Sequence, residues 1–598
     1  MSSYSTATAS GGDARRLPKT DVVVVGLGWT GSIAAMELAR EGLDVVGLER
    51  GPGYTQHDAF SDKSMHDALL YGVRSRLAKP LENSTLTFRN ASSGTALPMR
   101  RIGSFNPSEG FGGSGNTWSG HSFRPTESDM RLRSHITERY GRDFVSDDMT
   151  IQDWGVSWEE LEPHFAHFEA VAAVSGTAGN VRGAIRPGGN PFESPRSGEY
   201  DLPAFERHAS GLKFAETASE LGYHPFPVPT ANASEDYTNP YGADMPACRV
   251  CGHCPSHACI YGSKGAPVAT IHPALLAMPN FEARAQSTVV GIEKNADGQT
   301  VSGVTYIDAA GRKLFQPADI VILSAYTFDN VRLLLLSGIG TPYDPQTGRG
   351  TLGRNYSYQM LGSVNAFFED EFFSPQAAGG AMGTVIDDFG ADHFDHADLG
   401  FIGGGFIGPF NLSANPITYH PTPGSAPPWG AGWKEAVTKW YQRTLGLNIH
   451  CGVQSYRGNY LDLDPTYTDT YGLPLLRMTF DFRDNERRMI RFMTERAREI
   501  ARAMGADIVE GEPADGPYDI TRYQTTHNVG GTAMGTDPDT SVVNRRLQHW
   551  DAHNLFVLGG SVFPQNSHYN PTVSLAGLAY WAVDGIARDY LPRPGRIE

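Results

Sequence analysis

Four of the five cysteines in this 598-residue chain crowd into one short stretch, spaced Cys248-x2-Cys251-x2-Cys254-x4-Cys259. Short Cys-x2-Cys-x2-Cys steps wrap a chain tightly around an iron–sulfur cluster, although the last gap and the residue after it depart from the ferredoxin spacing. Structural zinc sites split their ligands into two distant pairs, and disulfides between cysteines this close would be strained. Iron–sulfur ligation is the leading reading of the block, with zinc and inert thiols as the alternatives. Cys451 stands alone and reads as a small buried hydrophobe.

A second chemical signature lies near the amino end. Gly26-Leu27-Gly28-Trp29-Thr30-Gly31 follows the apolar run Asp21 to Val25 and opens a helical pattern from Trp29 to Glu41. The first glycine permits a tight turn, the second lets backbone approach a pyrophosphate, and the third lets helix pack on strand. A helix N-terminus adds free N–H groups and a positive dipole end. Glu49 ends the next apolar run, Asp44 to Leu48, where a carboxylate can accept from ribose hydroxyls. It would also repel a 2′-phosphate. The turn alone is a weak signal and does not separate FAD from NAD, but strand, helix, second strand and acid around it point to a dinucleotide.

These residues need a scaffold, and the composition supplies one. The formal net charge is −17, with 40% hydrophobic and 19% charged residues. The chain is therefore globular rather than disordered, and its acidity argues against nucleic acid as a partner. No apolar run reaches the ~18 residues of a membrane span, so the chain is expected to have no span of its own. The polar stretch Met1 to Thr20 contains Arg15-Arg16, but the apolar run after it is four residues long and better used as a strand; no signal peptide is expected. Further strands are predicted at Phe281 to Ala285, Val289 to Asn295, Val301 to Asp308, Asp319 to Ala325 and Asn554 to Leu558, with a hairpin turn at Asp297-Gly298 and a last helix over Thr572 to Asp589. Gly/Pro-rich stretches at Gly176 to Pro203, Pro225 to Pro246 and Pro409 to Trp433 are expected to drape over a site. The fold class is α/β: a Rossmann-like dinucleotide domain, discontinuous in sequence, plus an α+β lobe.

The turn with Glu49-Arg50-Gly51, the block Gly110-Phe-Gly-Gly-Ser-Gly-Asn-Thr-Trp-Ser-Gly120, the segment Ser337-Gly-Ile-Gly340 and the run from His527 to Ala579 together resemble the glucose–methanol–choline (GMC) flavoprotein oxidoreductases. The cysteine block resembles their bacterial iron–sulfur branch, which oxidises sugars and gluconate. The resemblance covers most of the chain from about Asp21 to Asp589 and is thin in the Pro/Gly-rich middle. It implies FAD as cofactor and a 3Fe-4S cluster, for which one of the four cysteines need not be a ligand. It also implies a two-domain architecture like that of p-hydroxybenzoate hydroxylase: residues 20–125, 266–358 and 520–598 bind FAD, 126–247 and 359–519 bind substrate, and 248–265 form the cysteine loop.

By similarity His527, in Thr-Thr-His-Asn-Val-Gly-Gly, matches the family's active-site histidine, and Asn570, in His-Tyr-Asn-Pro-Thr, its His-or-Asn partner. Imidazole can take a hydroxyl proton near neutral pH, and an amide can hold a developing alkoxide. The hydride goes to flavin N5. His568 is a nearby decoy. Cofactor contacts are expected at Gly26, Gly28, Gly31, Glu49, Gly112, Gly113, Ser114, Asn116, Val289, Gly560, Ser561, Pro571 and Thr572. Some relatives attach FAD to a histidine just before the tryptophan of the glycine block. Thr117 stands there before Trp118, so the FAD is expected to be non-covalent. A cluster beside a flavin favours a dehydrogenase that delivers electrons singly to a cytochrome c, quinone or other acceptor. The alternatives are an oxygen-using oxidase of the pyranose-oxidase type with a structural cysteine site, and a non-catalytic electron-transfer or assembly subunit. The substrate class is a sugar, polyol, glycoside or sugar acid. Relatives pair with a small accessory subunit that carries the export signal. This implies the periplasmic face, with the cytoplasm as the other reading.

Overall fold

The computed structural model describes residues 14–56, 85–99, 107–252, 254, 257–374, 383–409, 420–522 and 525–598. Its largest sheet runs in the order Phe281–Arg284, Val45–Leu48, Thr20–Val25, Lys313–Leu323, Val301–Ile307, Thr288–Lys294. The valine run Val22 to Val25 is almost wholly buried, as expected of a parallel strand covered on both faces. Helix Trp29–Arg40 then carries the chain to the parallel strand Val45–Leu48. Neighbouring strands at distant sequence positions explain how the first and last parts of the chain meet. Leu555–Val557 pairs parallel with the carboxyl half of Lys313–Leu323.

Lys313–Leu323 is the pivot of this sheet. The apolar pattern predicts a strand only over Asp319 to Ala325. In the structure the first half of Lys313–Leu323 pairs antiparallel with Val301–Ile307, and its second half pairs parallel with Thr20–Val25. Pro317 sits where the partners change. Arg15–Arg16 adds two residues of parallel strand against Leu314 and Phe315, and Gly298 takes a positive φ of 68° at the hairpin turn.

Helix Thr572–Gly585 packs against Trp29–Arg40 and Trp158–Val171. The contact is close: a Cβ on Gly577 would lie 2.3 Å from the Phe165 ring. The sequence reading carried this helix to Asp589; its last turn, Ile586–Tyr590, is instead a wider π-type turn.

A second, antiparallel sheet orders Gly405–Pro409, Thr444–Gly452, Gln359–Phe367 and Ile508–Glu510. Helix Asp484–Ala503 covers it with one apolar face, including Met489, Ile490, Met493, Ala497 and Ile500. Burying each of the larger side chains contributes about 1.5–3 kcal/mol. A third sheet joins Tyr460–Thr468 and Pro474–Thr479 to Thr87–Arg89 and Leu97–Pro98, so it draws strands from both predicted domains.

The Gly/Pro-rich stretches differ from expectation. Among the described residues the cavity lined by the dinucleotide turn takes no wall from 176–203, 225–246 or 409–433. The first two are closed by short pairs of their own, such as Asn180–Val181 with Ala184–Ile185 and Tyr237–Thr238 with Asp244–Met245. They brace the second lobe, where Asn190 bonds Asp387 and the Tyr569 hydroxyl. Part of the third, residues 410–419, lies outside the described residues, and Gly430–Trp440 within and beyond it is helical.

Candidate active site

The dinucleotide turn forms one end of a cavity of about 260 Å³. Gly26 has φ 93°, and a Cβ there would lie 2.5 Å from the Ser324 carbonyl oxygen. A Cβ on Gly31 would lie 1.9 Å from the Gly26 carbonyl oxygen, whereas Gly28 has nothing within 4 Å of that position and faces the cavity. The helix that begins there has no side-chain cap and no acidic residue in its first turn. Its unmatched N–H groups and positive end therefore suit an anionic pyrophosphate. The open cradle at Gly28 beside the crowded Gly26 and Gly31 fits FAD.

Glu49 lines the cavity and ties the motif together. Its carboxylate accepts from the Leu27 N–H at 3.1 Å, the Gly51 N–H at 2.9 Å and the Gly110 N–H at 3.2 Å. Burial pushes its pKa up against these three hydrogen bonds. The glycine block is thereby drawn onto the dinucleotide turn, and Gly113 approaches Gly28. Gly113–Asn116 forms a single tight turn entered through Gly112 at φ 88°. Gly113 and Ser114 face the cavity; Gly112 and Asn116 do not line it. Asn116 instead bonds the Phe111 carbonyl at 2.7 Å and holds the turn. Val289, Gly560, Pro571 and Thr572 are on the wall. Gly31 and Ser561 lie behind it, Ser561 accepting from Asn330 at 2.9 Å at the start of helix Thr327–Ser337.

His527 lies on the same cavity, on a loop laid along residues 356–359. Ser357 and Val529 pair as a bridge, Tyr356 donates to the Asn528 side chain at 2.6 Å, and the Thr525 N–H donates to the Tyr358 hydroxyl at 2.8 Å. At the end of this track Gln359, wholly buried, presents Oε1 to His527 Nδ1 at 2.6 Å. The amide is oriented by its other end, because Nε2 donates to the carbonyls of Ser567 (2.9 Å) and Tyr569 (2.6 Å). Oε1 must then accept, so His527 carries its proton on Nδ1 and leaves Nε2 with a lone pair. Asn570 Nδ2 stands 3.4 Å from that Nε2, and the buried Asn570 Oδ1 has no hydrogen-bond partner among the described residues. Burial and the neighbouring His121 push the His527 pKa down to about 3, so the ring is neutral.

The structure thus brings His527 and Asn570 together. His568, the decoy, is committed elsewhere: its Nε2 is 2.9 Å from Asp387, which also accepts from Tyr569. Sequence reasoning missed Gln359, His121 and Tyr326, a cavity-lining residue with φ 75° whose hydroxyl accepts from Asn528 at 2.7 Å. A buried glutamine opening an apolar strand is the one local signal that could have flagged Gln359. The ion pairs of Arg50 with Glu109 (2.6 Å) and Asp329 (3.1 Å) were also missed, and all three residues line the cavity.

The cysteine loop adjoins the same wall. Trp118 lines the cavity and donates Nε1 to the Gly265 carbonyl at 2.6 Å. Cys254 accepts from Asn232 Nδ2 at 3.5 Å, and Cys248 from the Val250 N–H at 3.4 Å. Burial pushes Cys248 up to about 11 and raises Cys254 as well, with Cys251 and Cys259 adding to both shifts. The donor chemistry fits a thiolate-ligated iron–sulfur group. Among the described residues no three His, Cys, Asp or Glu side chains are gathered as a metal-holding set, so the loop offers ligands without a closed sphere.

Comparison with known proteins shows the family to which the chain belongs. The sequence profile described as GMC oxidoreductase matches residues 455–579. The chain is 46% identical over 591 residues to the gluconate 2-dehydrogenase flavoprotein of Pantoea cypripedii, covering 98% of this chain and 96% of that one. It is 25% identical over 596 residues to the fructose dehydrogenase large subunit of Gluconobacter japonicus, covering 95% and 98%. Pyridoxine 4-oxidase from Mesorbium loti superposes with a TM-score of 0.58 at 17% identity, covering 96% of this chain and all of that one, which shows a shared fold. Among the described residues no helix is long and apolar enough to cross a membrane.

Proposed function

This chain belongs to the GMC oxidoreductases, FAD-dependent enzymes acting on CH–OH groups, and from that premise we propose that it is a dehydrogenase of a sugar acid, with gluconate the first substrate to test. The observation that carries the reading is His527 on the cavity wall, its Nδ1 held by the buried Gln359 and its Nε2 3.4 Å from Asn570. Nearly full-length similarity to a gluconate 2-dehydrogenase flavoprotein favours that substrate class and a dehydrogenase over an oxidase.

The chain's own residues supply proton handling and orientation. His527 Nε2, left unprotonated because Gln359 holds the proton on Nδ1, accepts the substrate's hydroxyl proton. The Nδ1–H bond to Gln359 strengthens as the ring gains charge. Asn570 Nδ2 donates to the oxygen that is losing its proton, so the negative charge developing there is met by a fixed dipole. Burial disfavours imidazolium, so the ring stays neutral until a proton is transferred to it. Gly26, Gly28, Gly113 and Glu49, which line the same cavity, would hold the cofactor's phosphate and ribose portions. Bound FAD supplies the hydride acceptor for the carbinol carbon. Thr117, adjacent to the cavity residue Trp118, offers no imidazole for covalent attachment, and the FAD is held non-covalently.

Cys248, Cys251, Cys254 and Cys259 would ligate an iron–sulfur cluster, 3Fe-4S on the family resemblance, whose chemistry is one-electron transfer to a cytochrome or quinone. Trp118, shared by the cavity wall and the loop's contacts, supports that placement. A small accessory subunit carrying the export signal would place the enzyme at the periplasmic face. The test is anaerobic bleaching of the flavin by a panel of aldonates, sugars and glycosides, followed by reoxidation with one-electron acceptors. Bleaching by gluconate and slow reoxidation of Cys254→Ser alone are expected. A flavin that no CH–OH compound bleaches would refute the reading.

A further inference from the structure

Lys264 is wholly buried and makes no ion pair with a carboxylate among the described residues. Its ammonium donates to three carbonyls: Trp118 at 2.7 Å, His257 at 2.6 Å and Cys254 at 3.1 Å. Three neutral dipoles solvate the charge and cancel none of it. An unbalanced charge in a dry interior is costly, so buried ammonium groups are ordinarily matched by an anion. Lys264 reaches the cysteine loop directly, since one of those carbonyls is that of Cys254 itself. It also pairs through backbone with Asn232, whose side chain donates to Cys254 Sγ.

We propose that Lys264 is the counter-ion of the cysteine loop: it balances the negative charge of a thiolate-ligated iron–sulfur group and positions that group against the Trp118 wall of the flavin cavity. This rests on the cluster reading above. The ammonium is a positioning residue, acting through the loop carbonyls and the net charge of the thiolates rather than by touching substrate or flavin. Its hydrogen bonds explain why one side chain spans both features. One N–H holds the backbone of a cavity residue, and the other two hold the carbonyls of Cys254 and His257.

The test is a comparison of charge with and without the cluster. Full-length wild type, K264Q and K264R, all FAD-loaded, are assayed for iron and acid-labile sulfide. Each is then melted before and after the iron is removed by chelation under reducing conditions. K264Q keeps N–H donors for the carbonyls but loses the charge. It should melt below wild type when the cluster is present, and the difference should vanish or reverse once iron is gone. The cluster's midpoint potential in K264Q should shift downward, because a nearby cation favours the more negative reduced state. K264R should restore both. The same melting deficit with and without iron would overturn the proposal, as would a K264Q chain that folds in neither state, since the ammonium would then be needed where no anion exists. Wild-type protein devoid of iron and sulfide would instead bring down the cluster reading itself, and the counter-ion with it.

Discussion

Replacing Gln359 by Leu removes the acceptor that holds the His527 proton on Nδ1. The bond is 2.6 Å long and partly buried, on the wholly buried Gln359. A neutral hydrogen bond contributes about 0.5–1.5 kcal/mol net, and one to a charged partner about 1.5–3 kcal/mol. The bond therefore gains about 1 to 2 kcal/mol as His527 takes the substrate proton, and at ~1.4 kcal/mol per decade this is roughly 5- to 30-fold in rate. Loss of the tautomer preference lowers the fraction of rings with a free Nε2, so a total of about 10- to 100-fold is expected. The assay is stopped-flow bleaching of the flavin by substrate without oxygen, across pH. In wild type the neutral ring persists down to about pH 3, so this group imposes no acid limb above that value. Gln359→Glu places a carboxylate on Nδ1–H, raises the ring's pKa and moves the acid limb to higher pH. Leu also strands the carbonyls of Ser567 and Tyr569, so a lower melting temperature accompanies the slower rate. A folded, flavin-loaded Gln359→Leu enzyme that bleaches at the wild-type rate with an unchanged pH profile would refute this account of the base.

Two alanine substitutions in the dinucleotide turn should separate folding from cofactor binding. Gly28→Ala meets no protein atom within 4 Å, so the chain should melt near wild type yet bind FAD about tenfold or more weakly, as equilibrium dialysis would show. Gly31→Ala forces a Cβ to 1.9 Å from the Gly26 carbonyl oxygen and should lower stability itself, by about 1–3 kcal/mol in denaturant titration. Equal effects in the two would contradict the assigned roles. Stability should also fall with acid because His272 and His549 are buried, with pKa values pushed down to about 4. The unfolded chain binds these protons near pH 6.5 and the folded one does not. Each ring therefore contributes stability that is present above pH 6.5 and lost as pH drops toward 4, by about 1.4 kcal/mol per unit. Replacing His272 by Phe should flatten that slope in urea titrations.

Much of the α/β domain was legible because its signals are local. Val22 to Val25, the glycine turn and the run to Leu48 lie within one βαβ unit, and each apolar run matched a strand to within a few residues. Lys313–Leu323 was legible only in its second half, since a proline at a change of partner looks like a terminus. At the site, His527 and Asn570 could be named from motifs at the carboxyl end. Gln359 could not, because its role depends on a contact across 168 positions and on carbonyls at 567 and 569 that fix its amide. The Gly/Pro-rich stretches misled for a related reason. Composition marks an irregular backbone, but it does not say whether the irregularity closes on itself or over a ligand.

His527, the proposed proton acceptor, belongs to a segment clipped onto a strand of the second sheet, while the proposed cofactor cradle is completed within the first. Tinting and competence can thus part company. A preparation whose first sheet is sound but whose second has loosened would still look yellow and yet stay mute toward alcohol, so counting active molecules by colour alone would overstate them.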